Sequence, residues 1–175
     1  GSPVAHSLSP VIHTAVLKSL GISGTYEARD VDTAGLTDAV ADLRSGALDG
    51  ANVTMPHKTA AAALCDRLHG AAQRLGVVNT LVMESEALVG SNTDAPGVTD
   101  AWERRSLPTG TPVLILGGGG AARAALLALE GRVIKISTRR TGSGADAAAA
   151  VGVTCDEIPW GEPAPGAVVV NATPL

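Results

Sequence analysis

The chain has 175 residues, with 13 Lys+Arg against 17 Asp+Glu and a formal net charge of −4, a length that suits one ordinary domain or two small ones. Hydrophobic residues make up 45% and charged residues 17%, the composition of a folded globular protein rather than a disordered one. Aromatics at 2% (Tyr26, Trp102, Trp160 and no Phe) are too few for a base-stacking surface, and no Lys/Arg block marks a duplex-binding face, which argues against nucleic acid as a partner.

Ser9-Pro10 predicts a helix start, with Ser9 as N-cap and Pro10 at the first helical position. Ile12, Ala15, Val16 and Leu20 follow at helical spacing, and Gly21 closes the element. Thr25–Val31 reads as a strand. Thr33 is a candidate cap for a helix carrying Leu36, Val40 and Leu43 that ends near Gly46. Gly50–Thr54 is a short strand stopped by Met55-Pro56. A helical, Ala-rich stretch (Ala60–Leu64, then Asp66–Leu75) leads to Gly76. Val77–Met83 and Ala87–Ser91 then read as strands around a polar Glu84-Ser85-Glu86 turn.

Ala95–Arg105 suits a helix holding Val98, Ala101 and Trp102, and Leu107–Pro112 is the best linker in the chain by its Pro, Gly and Thr content. Beyond it Val113–Leu116 is a continuous apolar strand of the buried parallel kind. Gly117–Gly120, a helix from Ala121 to about Leu129, a strand from Arg132 to Thr138, a helix from Gly144 to Val151 and a buried strand Val168–Asn171 complete a doubly wound unit. The expected fold is α/β in two lobes, residues 1–100 and 101–175. A parallel strand so close to Leu175, with no helix after it, leaves a sheet edge open. The natural protein is therefore expected to continue, and its start, with no initiator Met, is left open.

No apolar run reaches the ~18 residues of a membrane span. Cys65 and Cys155 form no ligand pattern and suit a reducing cytosol, so a cytoplasmic location is expected. His6, His13, His57 and His69 have no metal spacing and no metal site is expected; His57, next to Lys58, is placed at a cleft rim.

Gly117-Gly-Gly-Gly-Ala-Ala122 fits the dinucleotide fingerprint at Gly117, Gly119 and Ala122, between an apolar strand and a helix. Small residues there allow close approach of a pyrophosphate to free N–H groups at the helix start. An NAD site of this kind places an acid at the end of the next strand to hold the ribose 2′-OH. Here that strand ends Ser137-Thr-Arg-Arg-Thr141, and paired guanidiniums suit a 2′-phosphate, so the cofactor expected is NADP.

In the first half, His6-Ser-Leu-Ser-Pro10 sets Ser7 and Ser9 at a helix start, Asn52 and Thr54 share one side of a strand, and Lys58 follows the proline stop. Asn79-Thr80 and Asn92-Thr-Asp94 end or interrupt apolar strands. Each cluster also has an ordinary reading as cap, turn or surface residue. Taken in order, however, Gly1–Pro10, Asn52-Val-Thr-Met-Pro-His-Lys58, Val78-Asn-Thr-Leu81, Asn92-Thr-Asp94, the glycine turn and Asn171-Ala-Thr173 resemble the shikimate dehydrogenases across nearly the whole chain.

The resemblance implies a substrate lobe, an NADP-binding Rossmann lobe and a cleft between them. It implies Ser7 and Ser9 at the substrate carboxylate, Asn52, Thr54, Asn79 and Asp94 at the ring hydroxyls, and Lys58 with Asp94 as the catalytic pair. It further implies Gly117, Gly119, Gly120, Ala121 and Ala122 at the pyrophosphate, Thr138, Arg139 and Arg140 at the ribose phosphate, and Thr173 near the nicotinamide. Gly118 stands where relatives usually carry Ala, a position expected only to be small. Relatives continue past Asn-Ala-Thr to finish the sheet and return a helix to the first lobe, so the chain alone is expected to be catalytically incomplete. The activity implied is reversible NADPH-dependent reduction of 3-dehydroshikimate to shikimate, with a small-molecule substrate, no membrane partner and a monomer or homodimer. The alternatives are an NAD-dependent quinate/shikimate dehydrogenase and a non-catalytic ligand-binding relative.

Overall fold

The structure is a computed structural model that describes residues 1–173. Helix α1 (Ser9–Ser19) and helix α2 (Leu36–Arg44) come first, followed by β1 (Gly50–Asn52), α3 (Lys58–Ala63), β2 (Arg67–His69) and α4 (Ala71–Leu75). Strands β3 (Thr80–Glu84) and β4 (Ala87–Ser91) precede α5 (Asp94–Glu103). The second half runs β5 (Val113–Leu116), α6 (Gly120–Ala128), β6 (Ile134–Ser137), α7 (Ser143–Val151), β7 (Asp156–Ile158) and β8 (Val168–Asn171).

The first sheet has the order β1-β3-β4-β2. Strands β3 and β4 form an antiparallel hairpin through Glu84↔Ala87, with Ser85 at φ 59 in the turn. Its core is Leu36, Val40 and Leu43 from α2 packed on Ala61, Val78, Leu81 and Leu88. The second sheet, β7-β6-β5-β8, is parallel throughout. Helix α6 buries Ala122, Ala124, Ala125 and Leu126 against it. Leu126 is fully buried, which favours folding by roughly 1.5–3 kcal/mol. Leu75, Val77, Ala95 and Trp102 also belong to this second core, so α4 and α5 dock the first sheet onto the second. Across that junction Arg74 grips Glu130 at 2.7 and 3.1 Å and donates to Val151 O at 2.8 Å. Arg132 lies over the Trp102 ring, 4.6 Å from its centroid.

Several expectations need correction. The helix expected from the Ile12, Ala15, Val16 and Leu20 spacing forms as α1, with Leu20 just past its end, and its stripe faces solvent: Ile12 is 56%, Val16 47% and Leu20 65% exposed. Helical spacing sets the stripe on one face, and only a covering element buries it. Thr25–Val31 pairs with no strand among the described residues; Val31 N–H reaches Gly1 O at 3.1 Å instead. A cavity of ≈ 290 Å³, lined by Tyr26 and Val31 on one side and by Gly50–Val53 and Leu81 on the other, lies between it and β1.

The second half of the Ala-rich stretch, read as one helix, contains strand β2, paired in parallel with β4. Asp66 accepts Leu88 N–H at 2.7 Å and Arg44 at 2.8 Å, and Gly70 at φ 59 separates β2 from α4. Strand β7 has no predicted counterpart because Asp156-Glu-Ile158 carries no apolar run. Strand β8, expected to be buried, lies at the sheet edge with Val169 56% exposed. Asp32 rather than Thr33 serves the start of α2, accepting Gly35 N–H at 2.8 Å. No helix among the described residues is long and apolar enough to cross a membrane.

Candidate functional site

The loop after β1 and the start of α3 deliver Thr54 and Lys58 to one point, because the Met55-Pro56 turn ends the strand and His57 opens the helix. Opposite them, Asn92 fixes Asp94 at the start of α5: its Oδ1 accepts Asp94 N–H at 2.9 Å and Ala95 N–H at 3.4 Å. A helix N-terminus favours a carboxylate at that position. Lys58 Nζ donates to Asp94 Oδ2 at 2.6 Å, and the two side chains are 24% and 32% exposed. Asn79 Nδ2 donates to Asp94 Oδ1 at 2.9 Å, so the carboxylate is held at both oxygens. Its orientation is thereby set before any ligand arrives.

A cavity of ≈ 450 Å³ opens beside this pair, lined by Ser7, Ser9, Asn52, Thr54, Lys58, Asn79 and Asp94 among others. Ser7 Oγ accepts Ser9 N–H at 3.3 Å, which reverses the expected capping roles: Ser9 lies inside α1 and Leu8 takes the N-cap position. The Ser7 O–H remains a donor. Asn52 Oδ1 is occupied by the Tyr26 hydroxyl at 2.8 Å. Burial pushes the Tyr26 phenol up, partly offset by a hydrogen bond with Ser9. Tyr26 stacks on His13 at 4.3 Å and both rings line the cavity. Neither was singled out from the sequence, where a lone Tyr on an unpaired extended segment gives no signal. His57 is buried rather than at the rim, its Nε2 on Val31 O at 2.5 Å, which requires the proton on Nε2.

A second cavity, of ≈ 570 Å³, shares Thr54, Met55 and Lys58 with the first and extends to the other sheet. Gly117, Gly118, Gly119, Gly120, Ala121, Thr138, Arg139, Arg140 and Thr173 line it. Ala122 does not; its methyl is fully buried in the core under α6. Gly117 sits at φ +110, where an added Cβ would meet Ala172 O at 2.8 Å, so the turn admits only Gly there. A Cβ at Gly118 would lie 2.9 Å from Ser143 O, so small size alone is not enough at that position. Gly119 and Gly120, by contrast, have nothing within 4 Å of an added Cβ and face open space at the start of α6. Arg140 Nε donates to Ser143 Oγ at 2.7 Å, and Trp160, half exposed, also lines this cavity. The Thr138 hydroxyl is taken up by Arg140 O at 2.7 Å and Glu157 Oε1 at 2.9 Å, so it shapes the turn. The described residues contain no cluster of His, Cys, Asp and Glu able to hold a metal.

Residues 1–81 match the family model described as the shikimate dehydrogenase substrate binding domain. The NADP(+) shikimate dehydrogenase of Methylobacterium radiotolerans is 40% identical over 100% of this chain and 67% of its own length. The chain belongs to the shikimate dehydrogenase family. The corresponding enzyme of Exiguobacterium sibiricum is 40% identical over 99% of this chain and 66% of its own length. A crystal structure of the Thermus thermophilus shikimate 5-dehydrogenase in complex with NADP(H) and shikimate superposes with a TM-score of 0.88 at 39% identity, covering 99% of this chain and 66% of that one. The chain spans roughly half to two thirds of the length of the curated shikimate dehydrogenases it matches. The fold so matched pairs, in this chain, a mixed first sheet with a parallel, Rossmann-like second one.

Proposed function

We propose that this chain is the substrate lobe (1–100) and much of the dinucleotide lobe (101–175) of an NADP-dependent shikimate dehydrogenase, reducing 3-dehydroshikimate reversibly to shikimate. The observation that carries this reading is the position of Lys58: it lines both cavities and is paired at 2.6 Å with Asp94. A carbonyl between the cavities meets a cation on one side and, on the other, a turn made for a dinucleotide.

The cofactor reading rests on the open space at Gly119 and Gly120 and on Arg139 and Arg140 along the same cavity. The N–H groups at the start of α6 would hold the pyrophosphate, and the arginines a 2′-phosphate. When bound, NADPH supplies the hydride. The Lys58 ammonium keeps N–H donors beyond the one given to Asp94. It hydrogen-bonds the reacting oxygen, stabilises negative charge developing there and delivers the proton that completes the alcohol. Asp94, anchored by Asn79 and Asn92, holds the ammonium in place and accepts a neighbouring ring hydroxyl. Ser7 and Ser9 hydroxyls hold the carboxylate at the start of α1, and Asn52 and Thr54 face the ring.

The test is absorbance at 340 nm with shikimate and NADP⁺, repeated with NAD⁺ and with quinate, on the chain and on its Lys58→Ala variant. Any rise that the chain supports with shikimate and NADP⁺ is expected to fall by about 10²–10⁴ in Lys58→Ala while substrate affinity largely persists. Because the chain is shorter than its relatives, the same titration is followed as binding of shikimate and NADP⁺. A chain that binds neither ligand would refute the proposal.

A further inference from the structure

We propose that Glu157 is a positioning residue for cofactor choice: its carboxylate fastens the Thr138–Gly142 turn so that Arg139 and Arg140 face a nucleotide 2′-phosphate. The inference rests on the NADP reading above and concerns a residue that lines none of the described cavities. Glu157 lies on β7, opposite Ile136 of β6 in the parallel ladder, so its side chain meets the turn that leaves β6. Its Oε1 accepts Thr138 Oγ1 at 2.9 Å, Gly142 N–H at 3.0 Å and Gly144 N–H at 3.2 Å, and its Oε2 accepts Ala145 N–H at 3.0 Å. These are the amides that open α7, which has no capping side chain at its own N-cap, Gly142. A distant strand thus supplies the cap that the local sequence lacks.

The seat is close-fitting. A Cβ at Gly144 would lie 2.6 Å from Ile136 Cγ2 and 3.1 Å from Glu157 Cδ, so only glycine lets the carboxylate approach. Burial raises the Glu157 carboxyl, but the bonds from Ala145, Thr138, Gly144 and Gly142 outweigh it and hold the group below its ordinary range. The turn is cross-tied as well: Ser143 N–H donates to Arg140 O at 3.1 Å, and Arg140 Nε to Ser143 Oγ at 2.7 Å. Thr138 has a single hydroxyl proton to share between Arg140 O and Glu157. The Glu157 charge and the Arg140 guanidinium are therefore coupled through one short loop. The carboxylate also occupies the α7 N-terminus, leaving discrimination of a 2′-phosphate to the arginines.

An anchor and a bare negative charge predict opposite signs. If Glu157 acted only by its charge, removing it would tighten binding of a phosphate nearby. If it anchors the arginines, removing it loosens NADP⁺ and leaves NAD⁺, which has no 2′-phosphate, much less affected. The experiment is titration of NADP⁺ and NAD⁺ into the 175-residue chain, Glu157→Ala and Glu157→Gln. Amide hydrogen exchange at Gly142, Gly144 and Ala145 is measured alongside. Expected for Glu157→Ala is about a tenfold loss for NADP⁺, the scale of one charge-assisted hydrogen bond, with a matching fall in the NADP⁺/NAD⁺ ratio and faster exchange at those amides. Glu157→Gln, which keeps an acceptor oxygen, is expected to recover most of the preference. An unchanged ratio in Glu157→Ala, tighter NADP⁺ binding, or a Gln variant no better than Ala would overturn the proposal. A wild-type chain without preference for NADP⁺ would instead overturn the cofactor reading, and this inference with it, before any variant is made.

Discussion

Replacing Gly118 with Ala probes how closely the glycine turn and α7 approach each other. The new Cβ would lie 2.9 Å from Ser143 O, 3.2 Å from Ser143 Cβ and 3.3 Å from Ser143 C. Ser143 is the first residue of α7, so no rotamer relieves the contact and the helix start has to shift. Overpacking of this kind costs about 1–3 kcal/mol, while restricting the unfolded chain returns about 0.4–1 kcal/mol. The net is a destabilisation of up to about 2.6 kcal/mol, or a Tm lowered by up to about 10 °C for a chain of this size. Gly119→Ala is the internal control, since nothing lies within 4 Å of its Cβ, and it should be neutral or stabilising by up to about 1 kcal/mol. Urea unfolding followed by circular dichroism, compared at a common slope, measures both. The variants should then exchange rank in NADP⁺ binding: Gly119→Ala places its methyl in the open cleft without harming the fold. A Gly118→Ala variant as stable as Gly119→Ala would refute the close approach of Ser143 to the turn.

Trp160 is 49% exposed beside Arg139 and Arg140, whereas Trp102 is 8% exposed under Arg132. NADP⁺ should therefore change the fluorescence of the wild-type chain and leave Trp160→Leu unresponsive; a persisting response would place the nucleotide elsewhere. Arg74→Met and Glu130→Gln remove one bidentate contact between α4 and the end of α6. Their double variant should have the same urea midpoint as Arg74→Met alone, and additive losses would show that the pair is uncoupled. Glu157 also has a pH signature. Its carboxyl lies below the ordinary 4.5 in the folded chain, so its stabilisation is complete above that value and is lost as pH falls through the folded one. The Tm difference between wild type and Glu157→Gln should accordingly shrink on acidification and stay flat near neutrality.

Much of the second lobe was legible in the sequence because its signals are local. A continuous apolar run makes Val113–Leu116 a buried parallel strand, and the glycines after it admit no regular element before α6. The pairing of Lys58 with Asp94 was not legible as geometry; only the order of the motifs pointed to it. These residues are brought to 2.6 Å by the docking of α5 against the first sheet and by Asn92 at its start. Burial was the less predictable property. Ile12, Val16 and Leu20 have the spacing of a core stripe and face solvent, while Arg67–His69, set in a helical stretch, becomes a strand because β4 offers it an edge. Periodicity determines which side chains share a face, because that is backbone geometry within one element. Whether the face is covered, which oxygen of Asp94 meets Lys58, and that Glu157 from β7 reaches the start of α7 depend on contacts between residues far apart in the chain, and only the tertiary structure decides those.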